Sequence, residues 1–129
     1  MEKDKLSRRE QREEIVKRLY EMDINRDFSN VDSEYEYVSE TLDGVSSNLD
    51  YIDSIISKNL VNWRLQRLTF IDRAIIRCAV YEMEFLNTPS EIVINEALNI
   101  TRKYSDEGDN KMVGFVNKVL DNIKKAQKK

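Results

Sequence analysis

The chain has 129 residues, a net charge of −3, no histidine and one cysteine, Cys78. That length suits one domain that buries an ordinary core without covalent staples. The missing histidine removes the commonest general base, the usual Ser/His and Cys/His pairs and nearly all zinc sites, and the lone thiol removes a disulfide or thiolate cluster. No stretch reaches the ~20 apolar residues of a membrane span, and the start, MEKDKLSRRE, lacks a signal peptide's apolar segment. A cytoplasmic protein with no resident metal or cofactor is expected.

Three glycines and one proline leave few breakers, and the apolar spacing is helical nearly throughout, which predicts an all-α bundle of about six to seven helices. Ser7 and Glu10 form a capping box that opens the first helix. It should run to about Met22 with Ile15, Val16 and Leu19 as its apolar stripe. After a loop at 25–30, Tyr35, Val38, Leu42, Val45, Leu49, Ile52 and Ile56 alternate spacings of three and four, a continuous seam. Gly44 and the polar run Ser46, Ser47, Asn48 predict a break or kink in it. A short helical turn around 60–65 follows, with Trp63 as a core anchor.

Thr69 and Asp72 cap the next helix, FIDRAIIRCAVYEMEF, which ends at Asn87. At about 100° per residue, Ile71, Ala74, Ile75, Cys78, Ala79 and Phe85 share one side. Asp72, Arg73, Ile76, Arg77 and Val80 share the other, half aliphatic and half ionic. Glu82 falls among the apolar set and needs a hydrogen-bonding partner. Thr88, Pro89 and Glu91 signal another start, for a helix that turns Val93, Ala97, Ile100 and Tyr104 inward. The loop SDEGDN leads to a last helix, about 111–125, with Met112, Val116, Val119, Leu120 and Ile123 as its core stripe. That loop and DFSNVDSE lack the alternating oxygens of a calcium site and are expected to be solvated. The weak division near 60–68 suggests two packed helical subdomains, 1–66 and 67–129.

The charge is polarised: residues 1–20 sum to +2, 102–129 to +4 and the middle to −9. Positive ends can offer an anion a local patch although the net charge is negative. Arg8 and Arg12 share the side of the first helix that carries Ile15 and Leu19 further on. They suit phosphate through their planar donor forks, or alternatively pair with Glu13, Glu14 or the acidic middle. On the last helix Phe115 shares an edge with Lys111, Lys118 and Asn122. A ring between ammonium groups suits an unpaired nucleic acid strand, although filling the core is the plainer role for it.

Five segments in order, RREQREEIVKRLYEMD, LDGVSSNLDYID, IDRAIIRCAVYEMEFL, PSEIVINEALNITRKYSDE and FVNKVLDNI, together resemble the NusB family of bacterial transcription antitermination factors. The resemblance implies two packed helical subdomains and a binder rather than an enzyme. It implies recognition of single-stranded boxA RNA in ribosomal RNA transcripts, jointly with the ribosomal protein NusE, and entry into an antitermination complex on RNA polymerase. By it, Arg8, Arg9, Arg12 and Phe115 map to RNA contacts, with Lys111 or Lys118 supplying nearby charge. Tyr20 and Asp72 map to the surface facing NusE, and Arg73 and Ile76 lie on the same mixed side of their helix as Asp72. Some relatives self-associate through that surface, so a homodimer is also compatible with the resemblance.

The chain departs from the family in having Gly114 where lysine is usual and Lys118 where glycine is usual. Two other readings compete: a helical protein-interaction module without an RNA role, and a relative of the helical segment fused to ribosomal RNA methyltransferases. No strand-plus-glycine-loop pattern for a nucleotide cofactor supports an enzyme. The RNA reading requires the bundle to bring both chain ends into one patch.

Overall fold

Six α-helices and one 3-10 turn make up the computed structural model, which describes residues 5–127. They are α1 (Arg8–Asn25), α2 (Glu36–Ser47), α3 (Leu49–Lys58), the 3-10 turn (Leu65–Arg67), α4 (Phe70–Phe85), α5 (Ser90–Tyr104) and α6 (Lys111–Gln127). No strand occurs among the described residues.

The expected capping box is formed: Ser7 Oγ accepts from the Glu10 N–H, and the Glu10 carboxylate accepts from the Ser7 N–H. Thr69 starts α4 in the same manner, accepting from the Asp72 N–H. Pro89 stands one position earlier than expected, as the residue before α5, where its missing donor is equally harmless. The seam after Tyr35 is divided at Asn48, whose backbone N–H and side-chain amide both close on the carbonyl of Gly44. Gly44 itself serves packing. A Cβ there would stand 2.2 Å from the Tyr81 ring, so α2 approaches α4 where only hydrogen fits.

The core is one cluster that draws on every α-helix. Ile15, Leu19, Leu42, Ile52, Ile75, Ile76, Leu120 and Ile123 are fully buried, and each such side chain contributes roughly 1.5–3 kcal/mol relative to exposure. Helix α4 is the axis: it packs against α1, α2, α3, α5 and α6, and both its apolar and its mixed side are inside.

Three expectations are corrected. Trp63 is 53 % exposed; the residues that anchor its segment are Leu65 and Leu68, three apart on the 3-10 turn and therefore on one side. Tyr104 lies at the surface at the end of α5 instead of pointing inward. In α6, Val113 is buried more deeply than Met112.

Candidate nucleic-acid interface

The capping box starts α1 with three arginines, and the helix sends them to different fates. Arg8 and Arg9 are exposed. The Arg8 guanidinium lies 3.8 Å from the centre of the Tyr37 ring, and Arg9 makes a solvent-facing ion pair with Glu96 on α5. Arg12 is only 8 % exposed. Its Nε donates to Glu82 Oε2 at 2.9 Å and its Nη2 to Oε1 at 3.1 Å. Burial opposes the charge on Arg12, but the hydrogen bonds and charge of Glu82 outweigh it and raise its pKa. The expectation that Arg12 faces a ligand is therefore corrected: its fork is occupied by the carboxylate that α4 places among apolar residues. Cys78 stands beside this pair, and burial, reinforced by Glu82, pushes its thiol far above the usual range. It is an inert core residue.

At the start of α6, Phe115 is half-buried and meets Trp63 edge to face, with ring centres 5.9 Å apart. Lys111 and Lys118, one turn to either side, are exposed. Gly114 faces open space, with nothing within 4 Å of where a Cβ would lie.

The two ends are offset along α4 and do not lie side by side. Helix α1 runs antiparallel to α4: Arg12 meets Glu82 near the end of α4, whereas Asp23 meets Arg73 and Arg77 nearer its start. Phe115 and Lys111 border the cleft beside Asp72, ten residues back from Glu82, or about 15 Å along the axis at 1.5 Å per residue. The seam between α1 and α5 joins them. Beyond Arg9 and Glu96, the Lys103 ammonium and the Tyr104 hydroxyl both donate to Glu13, at 2.9 and 2.8 Å. Burial favours the neutral acid, but these two bonds prevail and lower the Glu13 pKa. Lys17 and Lys103 stand 5.5 and 5.4 Å from the Tyr104 ring centre. Helix α5 then ends at Ser105, whose hydroxyl donates to Asp72. The surface is thus a track: Arg9 at Glu96, then Lys17 and Lys103 at Tyr104, and, past the Ser105–Asp72 bond, Lys111 and Phe115. Sequence reasoning missed its middle because Tyr104 occupies a core-like position on the helical wheel.

The partner candidates separate as sharply. Ile76 is fully buried, and Asp72 is buried with its carboxylate accepting from Thr69 and Ser105. Arg73 is largely buried and pairs with Asp23. Arg77 spans Asp23 and Asp53. The mixed side of α4 is therefore sealed within the chain, which corrects the expectation that Asp72, Arg73 and Ile76 offer a surface. The wheel shows which residues share a side, and aspartates from α1 and α3 cover that side. Tyr20 alone of the four is open, edge to face with the exposed Phe70 at 6.4 Å. Exposed Ile24, one turn on from Tyr20, extends this apolar face.

The NusB family model matches residues 3–125. The chain is 41 % identical over 135 residues to the transcription antitermination protein NusB of Clostridium botulinum, covering 93 % of this chain and 99 % of that one. It is similar to the structure of T. maritima NusB, with a TM-score of 0.80, 33 % identity and coverage of 95 % and 93 %. It is also similar to a chain in a crystal structure of antitermination factors NusB and NusE in complex with dsRNA, with a TM-score of 0.79, 29 % identity and coverage of 92 % and 96 %.

Proposed function

This chain belongs to the NusB family of transcription antitermination factors, and from that premise we propose that it binds an unpaired boxA-like strand of ribosomal RNA transcripts jointly with NusE. The observation that carries this reading is the track along the α1–α5 seam, where the solvent-facing Arg9, Lys17 and Lys103 lead past the Tyr104 ring to Lys111 and Phe115 on α6. Ammonium and guanidinium groups neutralise phosphates, while Tyr104 and Phe115 offer faces or edges to bases that are free to leave a helix. A duplex keeps its bases stacked inside and would leave those rings idle. The exposed Tyr20, Ile24 and Phe70 face supports a seat for NusE, since apolar and aromatic side chains dominate the buried centre of protein interfaces. The RNA-bound pair then enters the antitermination complex on RNA polymerase.

The test is a titration of labelled boxA-like single strand, and of a duplex of the same sequence, at two salt concentrations with and without NusE. The single strand should bind more tightly, lose affinity steeply with salt and gain affinity from NusE. Equal binding of the duplex, or affinity indifferent to salt, would refute the reading. A protein that binds NusE but no RNA would instead be an interaction module.

A further inference from the structure

Trp63 is the single tryptophan of the chain, and it stands half in water although a large indole gains much from burial. The chain turns at Asn62, which has a positive φ of 64°, and the following 3-10 turn draws Leu65 and Leu68 inward instead. Trp63 and Phe115 together border a cleft of about 340 Å³, also lined by Leu68, Met112, Arg67 and Lys111, within the size range of small-ligand sites. A second, more open recess is bordered by Trp63, Arg64 and Arg67. Arg64 and Arg67 are exposed and form no ion pair among the described residues. Almost every other guanidinium described above is engaged by a carboxylate or an aromatic ring.

We infer that Trp63, with Arg64 and Arg67, forms a nucleotide subsite at the α6 end of the track: one unpaired base stacks on the exposed indole beside Phe115, and the flanking phosphates lie on the two arginines and Lys111. The inference rests on the RNA reading above and extends it to residues outside the arginine-rich start and the last helix. Two features favour a nucleotide over a protein segment. The apolar surface is an edge-to-face aromatic pair, which accepts any base, and of the cations ringing it Arg64 and Arg67 have no ion pair among the described residues, while Lys111 stands 4.0 Å from Asp109 at an exposed site. Among the described residues lining the cleft the one carboxylate is Asp72, which accepts from Thr69 and Ser105 and forms no ion pair with Arg67 or Lys111, so both cations can still turn to a phosphate.

The sole tryptophan reports on its own surroundings. Trp63 emission should be quenched as boxA-like single strand is added, along the same curve as the anisotropy of labelled RNA. Trp63→Ala should weaken binding roughly 5- to 150-fold, the range for loss of one base–aromatic stack, and Trp63→Phe by less. Arg64→Ala with Arg67→Ala should reduce the salt slope by about 1.4, two single-strand phosphates' worth. Circular dichroism of the variants should match the parent, since all three side chains are exposed. RNA that binds with full affinity to Trp63→Ala, or without touching the emission, overturns the subsite while leaving the RNA reading standing. Emission that responds to NusE alone and not to RNA assigns the cleft to protein docking and overturns it also. Failure of labelled RNA to bind at all removes both.

Discussion

Arg12 and Glu82, seventy positions apart in sequence, are joined by two hydrogen bonds in the interior where α1 crosses the last turns of α4. Neither charge has another ion-pair partner among the described residues. Each side chain is there because the other is. Removing one strands the other in an apolar setting, which costs about 3–5 kcal/mol, whereas replacing both with apolar groups of similar volume is often near neutral. Arg12→Ala should therefore lower the urea midpoint severely, and Arg12→Met with Glu82→Leu should restore most of the loss. A double variant no better than the single would mean that the pair is not a closed unit.

Arg8 and Arg9 should behave in the opposite way. Both are exposed, and the pair of Arg9 with Glu96 is worth about 0–1 kcal/mol at a surface. Replacing both with alanine should leave the melting curve nearly unchanged while the slope of log affinity against log salt for single-stranded RNA shrinks by about 1.4. An intact slope would remove them from the phosphate contacts.

Gly114 offers a gain-of-function test. It faces open space inside a helix, where glycine is about 0.8–1 kcal/mol less favourable than alanine and lysine is among the better helix formers. Gly114→Lys should raise stability by up to about 1 kcal/mol and place a cation beside Phe115. RNA affinity at low salt should rise and the salt slope steepen by about 0.7. Stability gained without affinity would show that the strand passes elsewhere.

Glu13 sets a pH dependence whose sign follows from its bonds to Lys103 and Tyr104. Its folded pKa lies below the unfolded value of about 4.3, so its contribution is complete above that value and is lost as pH falls through the folded one. The same contact raises the Lys103 pKa, so that contribution fades only as pH rises through the alkaline range. Stability measured by thermal melting should decline on acidification, and Glu13→Gln should flatten the part of that decline due to this residue. An unaltered acid limb would exclude Glu13 as a source.

The local signals in the sequence were reliable where they concerned the backbone. The Ser7–Glu10 box, the Thr69 cap and the stripes Ile15–Leu19 and Val116–Ile123 all appear as read, because caps and periodicity depend on neighbours a few residues away. What failed was the question of who covers a given side. The mixed face of α4 looked like a docking surface because Asp23 and Asp53, which neutralise it, lie on other helices and have no periodic relation to it. Arg12 looked available because its partner is equally remote. Trp63 looked buried on size alone, yet Leu65 and Leu68 satisfy the core in its place.

Between its exposed ends, Phe70 and Phe85, helix α4 shows little of itself to solvent, yet it fixes where the outer groups stand: Arg12 ties the arginine-bearing turn of α1 to its far end, and Ser105 ties the end of α5, where the loop into α6 begins, to its near end. The bundle therefore carries a ruler. An oligonucleotide too short to span from the guanidinium end to Phe115 can grip only one terminus, so affinity should climb in a step at the length that first reaches both.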